Sequence, residues 1–127
     1  YSYEYRTLYY SNAGHNPLIY YDSKNDEIKE ENVKGVSIGF MEYYKYKLGQ
    51  LKFNKNDVMV YYTDGVTEAE NIKKEMFGIE KLKNVVYENR NMSAETIKNE
   101  ILKELFKFRG NYEQVDDITL VVIKNKR

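Results

Sequence analysis

The 127-residue sequence contains no cysteine. That absence removes disulfides, thiolate nucleophiles and cysteine-based zinc sites together. There is a single histidine, His15, so any metal here is held by oxygen ligands or by that one imidazole. Neither charge is in excess: 20 Lys and Arg face 20 Asp and Glu, for a formal net charge of +0. The broad basic face that nucleic acid or an anionic membrane surface requires is therefore not expected. No apolar run approaches the ~20 residues needed to cross a bilayer, and the opening "YSYEYRT" lacks the basic-then-apolar order of a signal peptide. The chain reads as soluble. It also opens without Met and directly on alternating residues, which sets the expectation of a segment of something longer.

What is present suits one α+β domain or part of one. A chain of this size buries roughly two thirds of the surface it exposes when unfolded. The 14 tyrosines read as compositional bias and strand preference for aromatics rather than as a binding surface. The first third alternates: "YSYEYRTLYYSN" and "PLIYYDS" read as strands separated by the turn-rich "NAGHN", and a hairpin is the simplest pairing. The polar turn "SKND" and a short strand in "EIKEEN" follow. In "GVSIGF" two glycines suggest a loop passing close to other backbone. Strand character resumes from Tyr43 to Leu51, "NKND" makes a turn, and Val58 to Thr63 is strongly apolar, so a second hairpin is expected.

The pattern then changes period. Ile79, Leu82, Val85 and Val86 recur at helical spacing, as do Ile97, Ile101, Leu102, Leu105 and Phe106. Ser93 fits an N-cap and Gly110 a C-terminal stop for the second helix. The last run, Ile118 to Ile123, is apolar on both faces and reads as an interior strand. Its best partner is the equally apolar run at 58–63. Nothing repeats along the chain, and no linker divides it.

Two acidic stations flank these two runs. Asp64 follows the C-terminal end of one, and Asp116 and Asp117 precede the N-terminal end of the other. Antiparallel pairing brings both ends to one edge of the sheet. Carboxylates about 4.5–5.5 Å apart across such a pair repel unless protonated or bridged by a cation. A hard divalent ion such as Mg²⁺ or Mn²⁺ would relieve that repulsion. Taken alone, Asp64-Gly65 is equally an ordinary turn, and Asp116-Asp117 an ordinary polar loop. Two other phosphate chemistries fit poorly. A haloacid-dehalogenase-type site needs a nucleophilic Asp where Tyr62 stands, and a receiver domain has its acidic pair after the first strand rather than before the last. A P-loop is absent as well.

The motifs "YSNAGHNPLIYY", "GVSIGF", "NDVMVYYTDGVTEAEN", "MFGIEKL" and "DDITLVVIK", in this order and spacing, resemble the SpoIIE/RsbU-like branch of the PP2C-type (PPM) serine/threonine phosphatases of bacteria. The resemblance runs over nearly the whole chain. It implies part of a sandwich of antiparallel sheets flanked by helices, with two Mn²⁺ or Mg²⁺ ions at one end. It also implies hydrolysis of phosphoserine or phosphothreonine by metal-activated water, without a covalent nucleophile. Carried onto these residues, it makes Asp64 and Asp116 metal ligands and sets Gly65 and Asp117 beside them. For Asn12 and His15 it implies a structural turn bonded to the neighbouring loop, with general acid or phosphate contact as the alternative for His15. Glu68 reads as a helix-start or loop carboxylate, and the residues after Asp64-Gly65 as a regulatory or substrate-facing segment.

One family feature is missing. Relatives carry an acidic strand-end motif well upstream of the "NAGH" turn, and residues 1–11 offer only Glu4. Residues 1–127 are therefore expected to be the C-terminal portion of such a domain. Such a piece would hold at most one ion, weakly, and be inactive alone. The resemblance further implies a phosphoprotein substrate, an anti-sigma-factor antagonist of the STAS type, in a cytoplasmic setting. Neither nucleic acid nor direct membrane contact is expected, and an uncovered sheet edge would favour a homodimer. The competing reading is a non-catalytic regulatory or interaction domain derived from the same fold.

Overall fold

Alternation along two buried strands sets the layers. Ile19, Tyr21, Val58, Val60 and Tyr62 point to one side of a central sheet, and Leu18, Tyr20 and Met59 to the other. The computed structural model describes every residue except Tyr3, Gln114 and Val115. Its elements are β1 (Thr7–Tyr10), β2 (Leu18–Asp22), β3 (Glu27–Glu31), β4 (Gly49–Lys52), β5 (Val58–Tyr62), α1 (Asp64–Thr67), α2 (Gly78–Glu88), α3 (Ala94–Arg109) and β6 (Leu120–Lys124). One antiparallel sheet has the order β3-β2-β5-β6, and β1 and β4 form a separate two-stranded ribbon.

The ribbon covers one face of the larger sheet, where Phe53, Leu8, Tyr10 and Leu51 pack on Leu18, Tyr20 and Met59. Helices α2 and α3 cover the other through the fully buried Leu82, Val86, Ile97, Ile101 and Leu105. Each such side chain contributes about 1.5–3 kcal/mol by leaving water. Ser93 caps α3 as its composition predicts, its Oγ accepting from the Thr96 N–H at 3.1 Å, and the helix ends at Gly110. The fold is α+β, antiparallel sheets flanked by helices.

Four sequence expectations are corrected. First, β1 and β2 are not a hairpin: β1 pairs with β4, in another layer, while β2 pairs with β3 and β5. Second, the expected hairpin between the 43–51 and 58–63 runs is absent among the described residues, since β5 pairs with β2 and β6. Both errors assume that neighbours in sequence pair, whereas the turns at 11–17 and 53–57 cross between layers. Third, the strand expected over 43–51 is confined to Gly49–Lys52, and the strand expected in residues 1–12 to Thr7–Tyr10; Tyr3 lies outside the described residues. Fourth, β6 is an edge strand among the described residues, not an interior one. Leu120 and Val122 pack on the helices, but Val121 and Ile123 remain 47% and 40% exposed because the ribbon does not reach them. Phe106, although in phase with the buried helical positions, is 45% exposed. Phe108 instead takes the core contact, edge-on to Phe77 with ring centroids 5.6 Å apart.

At its N-terminal end β5 is anchored by Asp57, which is 0% exposed. Its carboxylate accepts from Tyr20 Oη (2.6 Å), Ser23 N (2.8 Å), Ser23 Oγ (2.7 Å) and Asn54 N (2.6 Å). A buried charge is tolerable when every lone pair is met in this way. The Tyr20 phenol is held neutral by burial and by this same carboxylate.

Candidate metal centre

The pairing of β5 with β6 is antiparallel, with Tyr62 opposite Leu120 and Val60 opposite Val122. The C-terminal end of β5 and the N-terminal end of β6 therefore lie at one edge, as the positions of Asp64 and Asp116 predict. Beyond Tyr62 the ladder continues for one residue, the Thr63 N–H donating to the Thr119 carbonyl at 3.1 Å. The chain then turns into the four-residue helix α1, which begins at Asp64 and which no periodicity in the sequence announces. Glu68 lies just past its last residue.

Gly65 decides how close the second station comes. A Cβ added there would lie 2.3 Å from the Asp117 carbonyl oxygen and 3.2 Å from that of Asp116. No side chain fits, so the Asp116-Asp117 backbone rests directly on the start of α1. Glycine is needed here for that approach, not for an unusual dihedral. Both carboxylates are exposed. Asp64 Oδ1 accepts from the Gly65 N–H at 3.1 Å and Asp116 Oδ1 from the Asp117 N–H at 2.8 Å.

The segment after Asp64-Gly65 folds over a cavity of about 310 Å³ whose lining includes Gly65, Glu68, Met76, Arg109, Asp116 and Ile118. A cleft therefore opens beside the acidic edge. Tyr62, at the position a haloacid-type nucleophile would occupy, is buried, and burial with the nearby Glu30 pushes its phenol up to about 12. It is protonated at neutral pH and offers no anion to the site.

Asn12 and His15 lie at the same end of the sheet, ahead of β2, but in a different place. The Asn12 side chain closes the turn: Oδ1 accepts from the His15 N–H at 2.7 Å, and Nδ2 donates to the His15 carbonyl and to Asn32 Oδ1, each at 2.9 Å. Gly35 presses on this turn, since a Cβ there would lie 1.8 Å from the Asn12 carbonyl oxygen. The glycine loop thus passes close to other backbone at Gly35 but not at Gly39, where a Cβ would meet nothing within 4 Å. With Leu18 and Tyr61, both residues line a separate small cavity of about 120 Å³. The structure brings together Asp64, Gly65, Asp116 and Asp117, while Asn12 and His15 form a neighbouring turn. Among the described residues, no three His, Asp or Glu side chains converge as a complete metal cage. The two aspartates are oxygen donors on adjoining loops, a donor set suited to a hard divalent cation that takes its remaining ligands elsewhere.

The family model described as Stage II sporulation protein E (SpoIIE) matches residues 1–126. The chain belongs to the SpoIIE family. It is 33% identical over 119 residues to the phosphoserine phosphatase RsbU of Bacillus subtilis, covering 92% of this chain and 34% of that protein. Its fold matches the SiaA-PP2C domain of Pseudomonas aeruginosa with a TM-score of 0.78 at 20% identity, over 95% of this chain and 47% of that one. It also matches the phosphatase domain of SpoIIE from Bacillus subtilis, solved after presoaking in Mn, with a TM-score of 0.74 at 15% identity, over 99% and 53%. The likeness to these structures is one of fold, and the chain spans about a third of RsbU and about half of each matched structure.

One residue of the edge escaped sequence reasoning. Thr63, which precedes Asp64, bonds across to Asp117 and Thr119 through its hydroxyl. Its only sequence signal is its place between an apolar run and an Asp-Gly pair.

Proposed function

We propose that this chain supplies the C-terminal portion of a metal-dependent protein serine/threonine phosphatase domain of bacterial signalling. The observation that carries the reading is the seating of the Asp116-Asp117 backbone on Gly65, beside Asp64, at the shared end of β5 and β6. Membership of the SpoIIE family supports the class of reaction. Asp64 and Asp116 are the residues that would hold Mn²⁺ or Mg²⁺, and Gly65 and Asp117 keep the two loops in register. When bound, such ions supply a water of lowered pKa and screen the phosphoryl charge. No side chain of this edge acts as a covalent nucleophile. The Asn12–His15 turn shapes the neighbouring rim, and the cleft beside Asp116 receives the phosphorylated segment.

The substrate in this reading is a phosphoserine or phosphothreonine on a partner protein, an anti-sigma-factor antagonist of the STAS type; the similarity to RsbU supports it. The setting is cytoplasmic. Among the described residues no helix is long and apolar enough to cross a membrane. The exposed Val121 and Ile123 on β6, an edge strand among the described residues, favour self-association. Taken alone, residues 1–127 are inactive in this reading, because Asp64 and Asp116 need further ligands from an upstream station.

The test is hydrolysis of a phosphoserine peptide by a protein extended upstream of Tyr1. Mn²⁺-dependent turnover that disappears in Asp64→Asn is expected, and turnover retained in that variant would sink the reading. A second reading, a non-catalytic interaction domain, is favoured by the lack of a convergent third ligand among the described residues. It prevails if the extended protein carries no acidic strand-end station and releases no phosphate.

A further inference from the structure

We propose that Thr63 is a positioning residue: its hydroxyl locks the Asp116-Asp117 segment against the Asp64 helix, so that two carboxylates from distant parts of the chain can share one divalent cation. The proposal rests on the phosphatase reading above and names a part of its machinery that the metal ligands alone do not supply.

Thr63 occupies the N-cap position of α1, with φ −94° and ψ 164°. Threonine there ordinarily turns its oxygen back to accept from the first turn of its own helix. Here it makes no such bond. Its Oγ1 instead reaches the neighbouring strand, donating to the Asp117 carbonyl at 3.0 Å and accepting from the Thr119 N–H at 3.0 Å. The reason lies in the backbone. In an antiparallel ladder, Thr63 and Thr119 would exchange two backbone bonds. The first forms, from the Thr63 N–H to the Thr119 carbonyl. The Thr63 carbonyl, however, already accepts from the Val66 N–H at 3.0 Å to begin α1. The side-chain hydroxyl takes over the ladder bond that the carbonyl has left.

One residue therefore ends the strand, starts the helix and carries the pairing onward past the point where the backbones diverge. The Asp117 carbonyl is held from two directions, by the Thr63 hydroxyl and by the space that Gly65 leaves open. Asp116 is the next residue along, and its position relative to Asp64 follows from that grip. Valine keeps the size and β-branching of Thr63 but has no hydroxyl, whereas serine keeps the hydroxyl.

The experiment uses the 127-residue chain labelled with ¹⁵N and titrated with Mn²⁺, following paramagnetic broadening of the amides at 64–66 and 116–119. Amide exchange at Thr119 is measured in the same samples without metal. Thr63→Val is expected to speed exchange at Thr119 relative to Val121, which lies opposite Tyr61 two residues further along the same ladder. It should raise the Mn²⁺ concentration for half-broadening about tenfold, as loss of a group that orients a ligand commonly does, and Thr63→Ser should restore both. Should the valine variant not fold, Thr63→Ala is read in the same way. Half-broadening at an unchanged concentration in Thr63→Val, or failure of Thr63→Ser to restore it, overturns the proposal. Asp64→Asn separates the two levels. If it abolishes local broadening while Thr63→Val does not, only the positioning role falls; if it leaves broadening intact, or if the unsubstituted chain shows none, the metal reading falls and takes this proposal with it.

Discussion

The two ends of β5 each carry an aspartate, and they are built in opposite ways. Asp57, before the strand, is sealed from solvent and accepts four hydrogen bonds from three residues brought together by the fold. Asp64, after the strand, is exposed, and its side chain accepts a local bond from the adjacent amide. A carboxylate whose lone pairs are all met by protein has nothing left to offer a ligand. One left at a loop junction, beside a second acidic loop and a cleft, keeps its chemistry available. In the reading proposed above, the contrast separates a structural acid from a metal-holding one in a chain that has 20 acidic residues to choose from.

The sharpest way to break this contrast is to remove each acid in turn. Asp57→Ala removes the carboxylate from four donors on three residues and is expected to cost about 3 kcal/mol, read from the urea midpoint at constant m-value. Gly65→Ala comes next. Its Cβ must displace the Asp117 carbonyl, an overpacking cost of about 2 kcal/mol, and chemical-shift changes should concentrate at 116–119. Val66, fully buried one residue later, should shift less.

A smaller effect belongs to acid. Asp26 is held below the usual carboxylate range by the Tyr21 and Tyr87 hydroxyls and then by Arg90. For Asp22, burial pushes upward, but the Asn25 side chain and the Asn25 and Lys24 amides outweigh it. A carboxyl with a depressed folded-state pKa stabilises the fold above its unfolded value of about 3.9, and that contribution is lost as pH falls through the folded value. Unfolding midpoints should therefore be flat near neutrality and decline below about pH 4, with a shallower decline in Asp26→Asn. The smallest stability effect is expected at the other end of the strand: Asp64→Asn should shift stability by no more than about 0.5 kcal/mol. An Asp64 variant as damaging as Asp57→Ala would erase the distinction between the two ends.

Local pattern carried the sequence a long way. The helical spacing of Leu82, Val85, Val86, Ile97, Ile101 and Leu105 marked the buried faces of α2 and α3, and the Ser93 cap and Gly110 stop were legible because capping chemistry acts within one turn. The apolar runs at 58–63 and 118–123 identified each other as partners. Strand order was not legible in the same way. An apolar strand such as β6 reports that it avoids water, not which layer covers each face, and Val121 and Ile123 show how far those statements can differ. The roles of Asp57 and Thr63 were hidden for a related reason. Most of their hydrogen-bond partners are non-local: Tyr20 is 37 residues from Asp57, and Thr119 is 56 from Thr63.

Family and the two long helices were thus determined by the sequence alone, because motif order, amphipathic period and capping are properties of neighbouring residues. The tertiary structure decided which acids meet. Asp64 and Asp116 share an edge only because β5 and β6 pair antiparallel in a set register, because Gly65 yields the volume of a side chain, and because the Thr63 hydroxyl bridges the two backbones where the ladder ends. Those are long-range geometric conditions, met only once the chain has folded.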